Sequence, residues 1–225
     1  MRPLIITPMR EEFNLLLKGC TRRGFHAERS KIGRLPSMQL PELGITLARG
    51  GVGKAQFALQ TQHLLDSGVE WDVVVCAGAA GALADGLAIG DVVVATATLE
   101  HDYNNKFNRH PTPSFRGARA AIADLRRVSS SLGEFRVHFG KVASGDEDVV
   151  DRQRRRALQQ ATGALVVAWE GAGGARACAF SRVPFVEIRA VTDTADHDAP
   201  LDFARNLKAA IDNLAVLIIA WTGQA

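Results

Sequence analysis

The 225-residue sequence predicts an α/β fold. The expected form is one three-layer domain over residues 1–225, with a twisted, mostly parallel (mixed) central sheet and helices on both faces. Three observations predict it. Short apolar, β-branched runs alternate with helical segments along the chain. Nearly every run ends in a Gly-rich or acidic turn, as strands do when they deliver residues to a sheet edge. No proline-rich linker and no fixed-period repeat divides the chain.

Leu4-Ile5-Ile6 reads as a short buried strand. Thr7 is a suitable N-cap and Pro8 a suitable first residue for the amphipathic helix through Leu15, Leu16 and Leu17. Breakers at Gly33, Pro36, Pro41 and Gly44 predict a hairpin region over 30–49. Arg49-Gly50-Gly51-Val52-Gly53-Lys54 then opens a helix to about Leu65. This turn exposes backbone N–H groups, but it is neither a Walker A loop nor GxGxxG with an acidic ribose binder. Trp71 to Ala77 is a central strand, followed by a small-residue turn at Gly78-Ala79-Ala80-Gly81-Ala82. Ile89 to Ala95 is another strand, and His101 to Phe107 a polar loop with two aromatics. A helix over 117–132 precedes a strand over 136–143 that ends in Ser144-Gly145-Asp146. A basic helix follows, then the strand Leu165 to Ala168 with Trp169-Glu170-Gly171 at its end, and a helix of small residues. The strand from Val186 ends in Thr192-Asp193-Thr194-Ala195-Asp196. A last helix runs from about Phe203 to Trp221.

Composition excludes several function classes. A net charge of +3, evenly spread, does not argue for nucleic acid. Three widely spaced cysteines read as free thiols in a reducing compartment, so a cytoplasmic location is expected. No signal peptide and no window of roughly 18 apolar residues is visible, so no membrane association is expected. The six histidines form no metal-binding pattern, and no metal or cofactor is expected.

Three acids lie just past strand ends: Glu12, Glu170 and Asp193. In a parallel sheet these ends share an edge, so the three can converge. Each has a structural explanation too: first-turn charge for Glu12, N-cap for Asp193. Carboxylates beside Gly-rich turns suit a reaction that builds positive charge on a sugar ring. Glu187, inside a buried strand, has no role at this level, because a carboxylate there is costly unless paired.

Taken in order, Met9-Arg10-Glu11-Glu12, Gly51-Val52-Gly53-Lys54, Ala77 to Gly81 with Gly90 to Val94, His101-Asp102, Ser144-Gly145-Asp146, Trp169 to Ala172 and Pro184 to Asp196 resemble the nucleoside phosphorylase/nucleosidase superfamily. Within it, the chain looks like a divergent 5′-methylthioadenosine/S-adenosylhomocysteine nucleosidase. The resemblance implies a nucleoside phosphorylase-like fold and hydrolysis of the N-glycosidic bond of a purine nucleoside through an oxocarbenium-like transition state. It implies Glu12 as the base that activates water and Asp193 as the acid that protonates the leaving purine, with Thr192 and Asp196 as candidates to orient it. It implies Glu170 as the carboxylate on the ribose hydroxyls. Substrate contacts are implied at Met9, Val52, Ala79, Gly81, Asp148, Val149, Trp169 and Phe203. A loop bearing His101, Tyr103 and Phe107 would reach a neighbouring subunit, which implies a homodimer. Asp148 stands where the family often has an aromatic that stacks on adenine, and Trp169 where it has Met. Three alternatives stay open: a phosphate-dependent phosphorylase using Arg10 or Arg49, a futalosine-type hydrolase, and a nucleoside binder without activity. Cys76 and Ala79 occupy the places of the Arg and Ser that phosphorylases use for phosphate, which favours water.

Overall fold

The computed structural model describes residues 1–107 and 110–223. Asn108, Arg109, Gln224 and Ala225, which the expected 1–225 unit includes, lie outside the described residues.

The elements are β1 (Pro3–Thr7), α1 (Arg10–Thr21), β2 (Glu28–Ile32), β3 (Leu35–Leu40), β4 (Ile45–Arg49), α2 (Lys54–Leu65), β5 (Val73–Ala82), β6 (Val92–Glu100), β7 (Ser114–Arg116), α3 (Arg119–Ser129), β8 (Val137–Ser144), α4 (Arg152–Thr162), β9 (Ala164–Ala168), α5 (Gly171–Ser181), β10 (Phe185–Asp193) and α6 (Ala199–Thr222). Strand and helix alternate as expected from α3 onward, whereas β2 to β4 and β5 to β7 follow one another with no α-helix between them among the described residues. The three-residue β7 has too few residues to leave a periodic signal.

The three layers follow from the two-residue period of the strands. On β1, Ile5 packs with Leu16 of α1 and with Leu207, Ile211 and Leu214 of α6. Its neighbours Leu4 and Ile6 face the other way, onto Phe57 of α2 and Ala175 and Cys178 of α5. Trp71, Val74 and Cys76 join this second layer, and Val73 and Val75 the first. The α2–α5 contact is close because Gly173 has no side chain: a Cβ there would overlap the Lys54 carbonyl.

The sheet is mixed. Parallel pairs join β4 to β1, β1 to β5, β5 to β10, β6 to β8 and β8 to β9. β2, β3 and β4 form an antiparallel meander in the region where the breakers predict a hairpin. β10 pairs antiparallel with β6, and β5 antiparallel with β9 at Gly81 and Ala82. The path β5–β10–β6–β8–β9–β5 therefore closes into a ring.

That closure corrects one sequence expectation. Gly78 to Ala82 is not a turn; it is the second half of β5, and every residue of it is buried. The ring encloses Ala80, Ala82, Val93, Ala95, Val142, Val166, Ala168 and Val191. A five-stranded ring leaves little interior, so only small and short-branched side chains fit. A second correction concerns α1. Thr7 ends β1, and the helix starts at Arg10 with Met9 in the capping position.

Candidate active site

One cavity of about 430 Å³ opens where β1, β5, β9 and β10 end. It is lined by Met9, Glu12, Val52, Ala79, Gly81, Asp148, Val149, Trp169, Glu170, Asp193 and Phe203. Every residue expected to contact substrate within the chain's own site thus meets at one place.

Glu12 is at the third position of α1 and is buried. Its Oε2 accepts from the Met9 N–H at 2.9 Å and its Oε1 from the Ala79 N–H at 2.8 Å. The second bond is possible because Gly78 has no side chain. A Cβ there would lie 2.6 Å from Glu12 Oε1. Burial pushes the Glu12 carboxyl up to about 7, against the pull of the two backbone donors and of Arg189.

Asp193 is the last residue of β10 and is 7% exposed. It does not cap a helix, since α6 begins at Ala199 after Asp198. Its Oδ2 accepts from the Thr192 hydroxyl at 2.8 Å and its Oδ1 from the Ala195 N–H at 2.9 Å. Ala195 has φ of 48°, a left-handed conformation that costs a non-glycine residue roughly 1–3 kcal/mol. That strained turn aims its N–H at the carboxylate. Gly81 makes room, as a Cβ there would lie 2.7 Å from Asp193 Oδ1. Burial raises the Asp193 pKa, and the nearby Asp202 and Asp196 add to the rise. Thr192 thus meets its expectation of a contact with Asp193. Asp196 does not: its oxygens are held by the Asp198 N–H and by Arg152.

Glu170 follows β9 at the start of α5 and is buried. Its Oε1 accepts from the Gly53 N–H at 3.3 Å, and Oε2 accepts from Arg189 Nη2 at 3.1 Å. The Gly-rich β4–α2 turn thus touches the site by one backbone donor. Gly51 and Gly53 adopt φ of 79° and 84°, which side chains resist.

Arg189 is the residue the sequence reading missed. It is almost wholly buried and lines the cavity. Its Nε donates to Glu187 Oε1 at 2.7 Å, which gives the unexplained carboxylate a partner. The signal was present: Glu187 and Arg189 are two apart on a strand, hence on one face.

The Ser144-Gly145-Asp146 motif has a structural part. The Ser144 hydroxyl donates to the Trp169 carbonyl and accepts from the Ala172 N–H. Asp146 accepts from the Lys54 N–H at the start of α2. Both tie loops to helix N-termini around the cavity.

The loop residues divide. His101 departs from the expectation that it reaches outward: its side chain is 1% exposed, packed against Gly145 within its own chain. Tyr103 and Phe107 are exposed, Phe107 at 98%, and line no part of this chain's cavity. Arg10 and Arg49 are surface residues and are absent from the lining. Asp196, His197 and Asp198 bring ligand atoms within 4.8 Å of one another outside the cavity.

Among the described residues, no helix is long and apolar enough to cross a membrane.

Comparison with known proteins shows the family and the fold. The family model described as the phosphorylase superfamily matches residues 3–221. A 5′-methylthioadenosine/S-adenosylhomocysteine nucleosidase of an Exiguobacterium strain is 30% identical, covering 99% of this chain and 97% of its own. The crystal structure of the nucleosidase of the same name from Neisseria meningitidis, in complex with methylthio-immucillin-A, superposes with a TM-score of 0.86 at 28% identity, over 100% of this chain and 99% of that one. A futalosine hydrolase of Helicobacter pylori shares the fold, with a TM-score of 0.85 at 24% identity over 100% and 98% of the two chains.

Proposed function

This chain belongs to the phosphorylase superfamily, and from that premise we propose how its site works: as an N-ribosyl hydrolase acting on a purine nucleoside with a 5′ substituent, of the methylthioadenosine or adenosylhomocysteine kind. The observation that carries the reading is the pair of carboxylates set over Gly78 and Gly81 of one strand, both with raised pKa values, in a single cavity.

Glu12, poised near neutral pH, takes a proton from water as its oxygen bonds to C1′ of the ribose. The C1′–N9 bond breaks and its electron pair leaves with the base. Asp193 gives its proton to N7, so the base departs neutral. Glu170 accepts hydrogen bonds from the ribose hydroxyls and offsets positive charge on the ring. Met9, Val52, Trp169 and Phe203 enclose the sugar and its 5′ substituent, while Asp148, Val149, Ala79 and Gly81 flank the base. The products are free base and free sugar.

Water is favoured over phosphate because Arg189 is the one cationic side chain among the described lining residues, and carboxylates already hold it. We read residues 1–225 as one catalytic unit working as a homodimer. Exposed Tyr103 and Phe107 support this, as apolar groups suited to a second copy's site. Three free, buried cysteines support a cytoplasmic location.

The test is incubation of the pure protein with a panel of purine nucleosides, with and without inorganic phosphate. Free base and free sugar without phosphate are expected. Sugar 1-phosphate formed only with phosphate present would overturn water as the nucleophile.

A further inference from the structure

Glu187 is wholly buried, yet it lines no part of the cavity and so cannot touch substrate. It is nevertheless built in from three sides. Its Oε1 accepts from Arg189 Nε at 2.7 Å, and its Oε2 accepts from the Thr98 hydroxyl at 2.6 Å. Gly171 opens α5 directly against it, and any side chain there would overlap the carboxylate. A buried charge this costly, with a donor on each oxygen and a glycine cleared for it, calls for a consequence beyond packing.

The consequence lies in Arg189. Its Nε is taken by Glu187 and its Nη2 by Glu170 and the Cys76 sulfur, while its Nη1 donates to the Ala79 carbonyl. The titratable and charged groups around this guanidinium are Glu12 on α1, Cys76 on β5, Glu170 at the start of α5 and Glu187 on β10. Three buried carboxylates therefore share one guanidinium. An anionic nucleophile entering the cavity finds the one cation among the described lining residues already neutralised and fixed in place.

We propose that Glu187 is a positioning residue that commits Arg189 to the site's own carboxylates and thereby excludes phosphate as the attacking group. The inference rests on the hydrolase reading above and names the residue that enforces it. Holding the Nε edge directs Nη2 at Glu170 Oε2, which fixes that carboxylate beside the Gly53 N–H. The charge on Glu187 offsets the guanidinium, which would otherwise draw in a phosphate dianion and hold Glu12 in its ionised form.

The experiment compares the full-length protein with Glu187→Gln, which keeps shape and hydrogen-bonding capacity and removes the charge. Inorganic phosphate binding is measured by calorimetry, and base release is followed against pH with and without phosphate. The variant should bind phosphate at least about tenfold more tightly than the parent. Its acid limb of kcat should move down by about one pH unit, because the freed guanidinium favours ionised Glu12. Thr98→Val keeps the charge and loses only the hydroxyl donor; its acid limb should stay at or above the parent's, with phosphate still excluded. This second variant decides the matter if the first fails to fold. Equal phosphate affinity and superimposable pH profiles for Glu187→Gln, with loss confined to kcat or stability, would overturn the proposal. So would phosphate binding by Thr98→Val. A parent protein that releases no base from any nucleoside breaks the hydrolase reading instead, while the phosphate titrations still decide the role of Glu187.

Discussion

Glu12 and Asp193 are built alike and balanced differently. Each carboxylate rests over a glycine of β5, Gly78 for one and Gly81 for the other, three residues apart. Each accepts from a backbone N–H near the cavity wall, Ala79 or Ala195. Burial raises the pKa of both. The neighbours differ. Glu12 faces the Arg189 guanidinium, which lowers its pKa, and it settles at about 7. Asp193 has no cation among its main influences; Asp202 and Asp196 push its pKa further up. A cation near one carboxylate and only like charges near the other give these two acids, over one strand, different electrostatic surroundings.

Replacing the donor tests the contrast hardest. Asp193→Asn should fold and bind nucleoside but lose about 10³–10⁴ in kcat, because the leaving base has no proton source. Retained turnover would leave the two carboxylates without distinct roles. Glu12 should in turn control stability. Its carboxyl is raised from 4.5 to about 7, so between these values the folded state keeps a proton that the unfolded chain has lost. Its contribution is full below pH 4.5 and lost as pH rises through 7. The parent should therefore lose about 3 kcal/mol relative to Glu12→Gln across that window. Unfolding of both proteins by denaturant at a series of pH values measures this directly; parallel curves would contradict it.

The glycines give a finer test. Gly81→Ala brings a methyl against Asp193 Oδ1 and Ala195 Cβ, and Gly78→Ala against Glu12 Oε1 and Arg189 Nη1. Each should lower kcat by about 10- to 100-fold, as displaced catalytic groups do. The alkaline limb of the pH profile should move in the first and the acid limb in the second. The smallest effect is expected for Thr192→Val, which removes the hydroxyl that stabilises ionised Asp193. The alkaline limb should rise by less than about one unit, with kcat changed less than about tenfold.

How much of this was legible in the chain depends on the kind of residue. Glu12, Glu170 and Asp193 stand out in sequence because each follows an apolar run, and strand ends share an edge. Arg189 did not stand out, although its spacing from Glu187 marked both for the same face. A charged pair inside a strand reads as an anomaly until the partner that neutralises it is known. His101 was placed with Tyr103 and Phe107 because the three share a loop; only packing against Gly145 separates it from them. The breakers near Gly78 read as a turn because small residues look alike in a turn and in a crowded strand.

The sequence by itself determined the alternation of strands and helices, the two-faced strands that make three layers, and the acids that collect at one sheet edge. Each follows from local periodicity and from where strands end. The tertiary structure alone decided that β5 runs on through Gly78 and Gly81 to close a ring, and that Arg189 answers three carboxylates at once. Those outcomes depend on which groups meet across distant parts of the chain, and both the space a glycine leaves and the pKa of a buried acid are set by what fills the volume beside it.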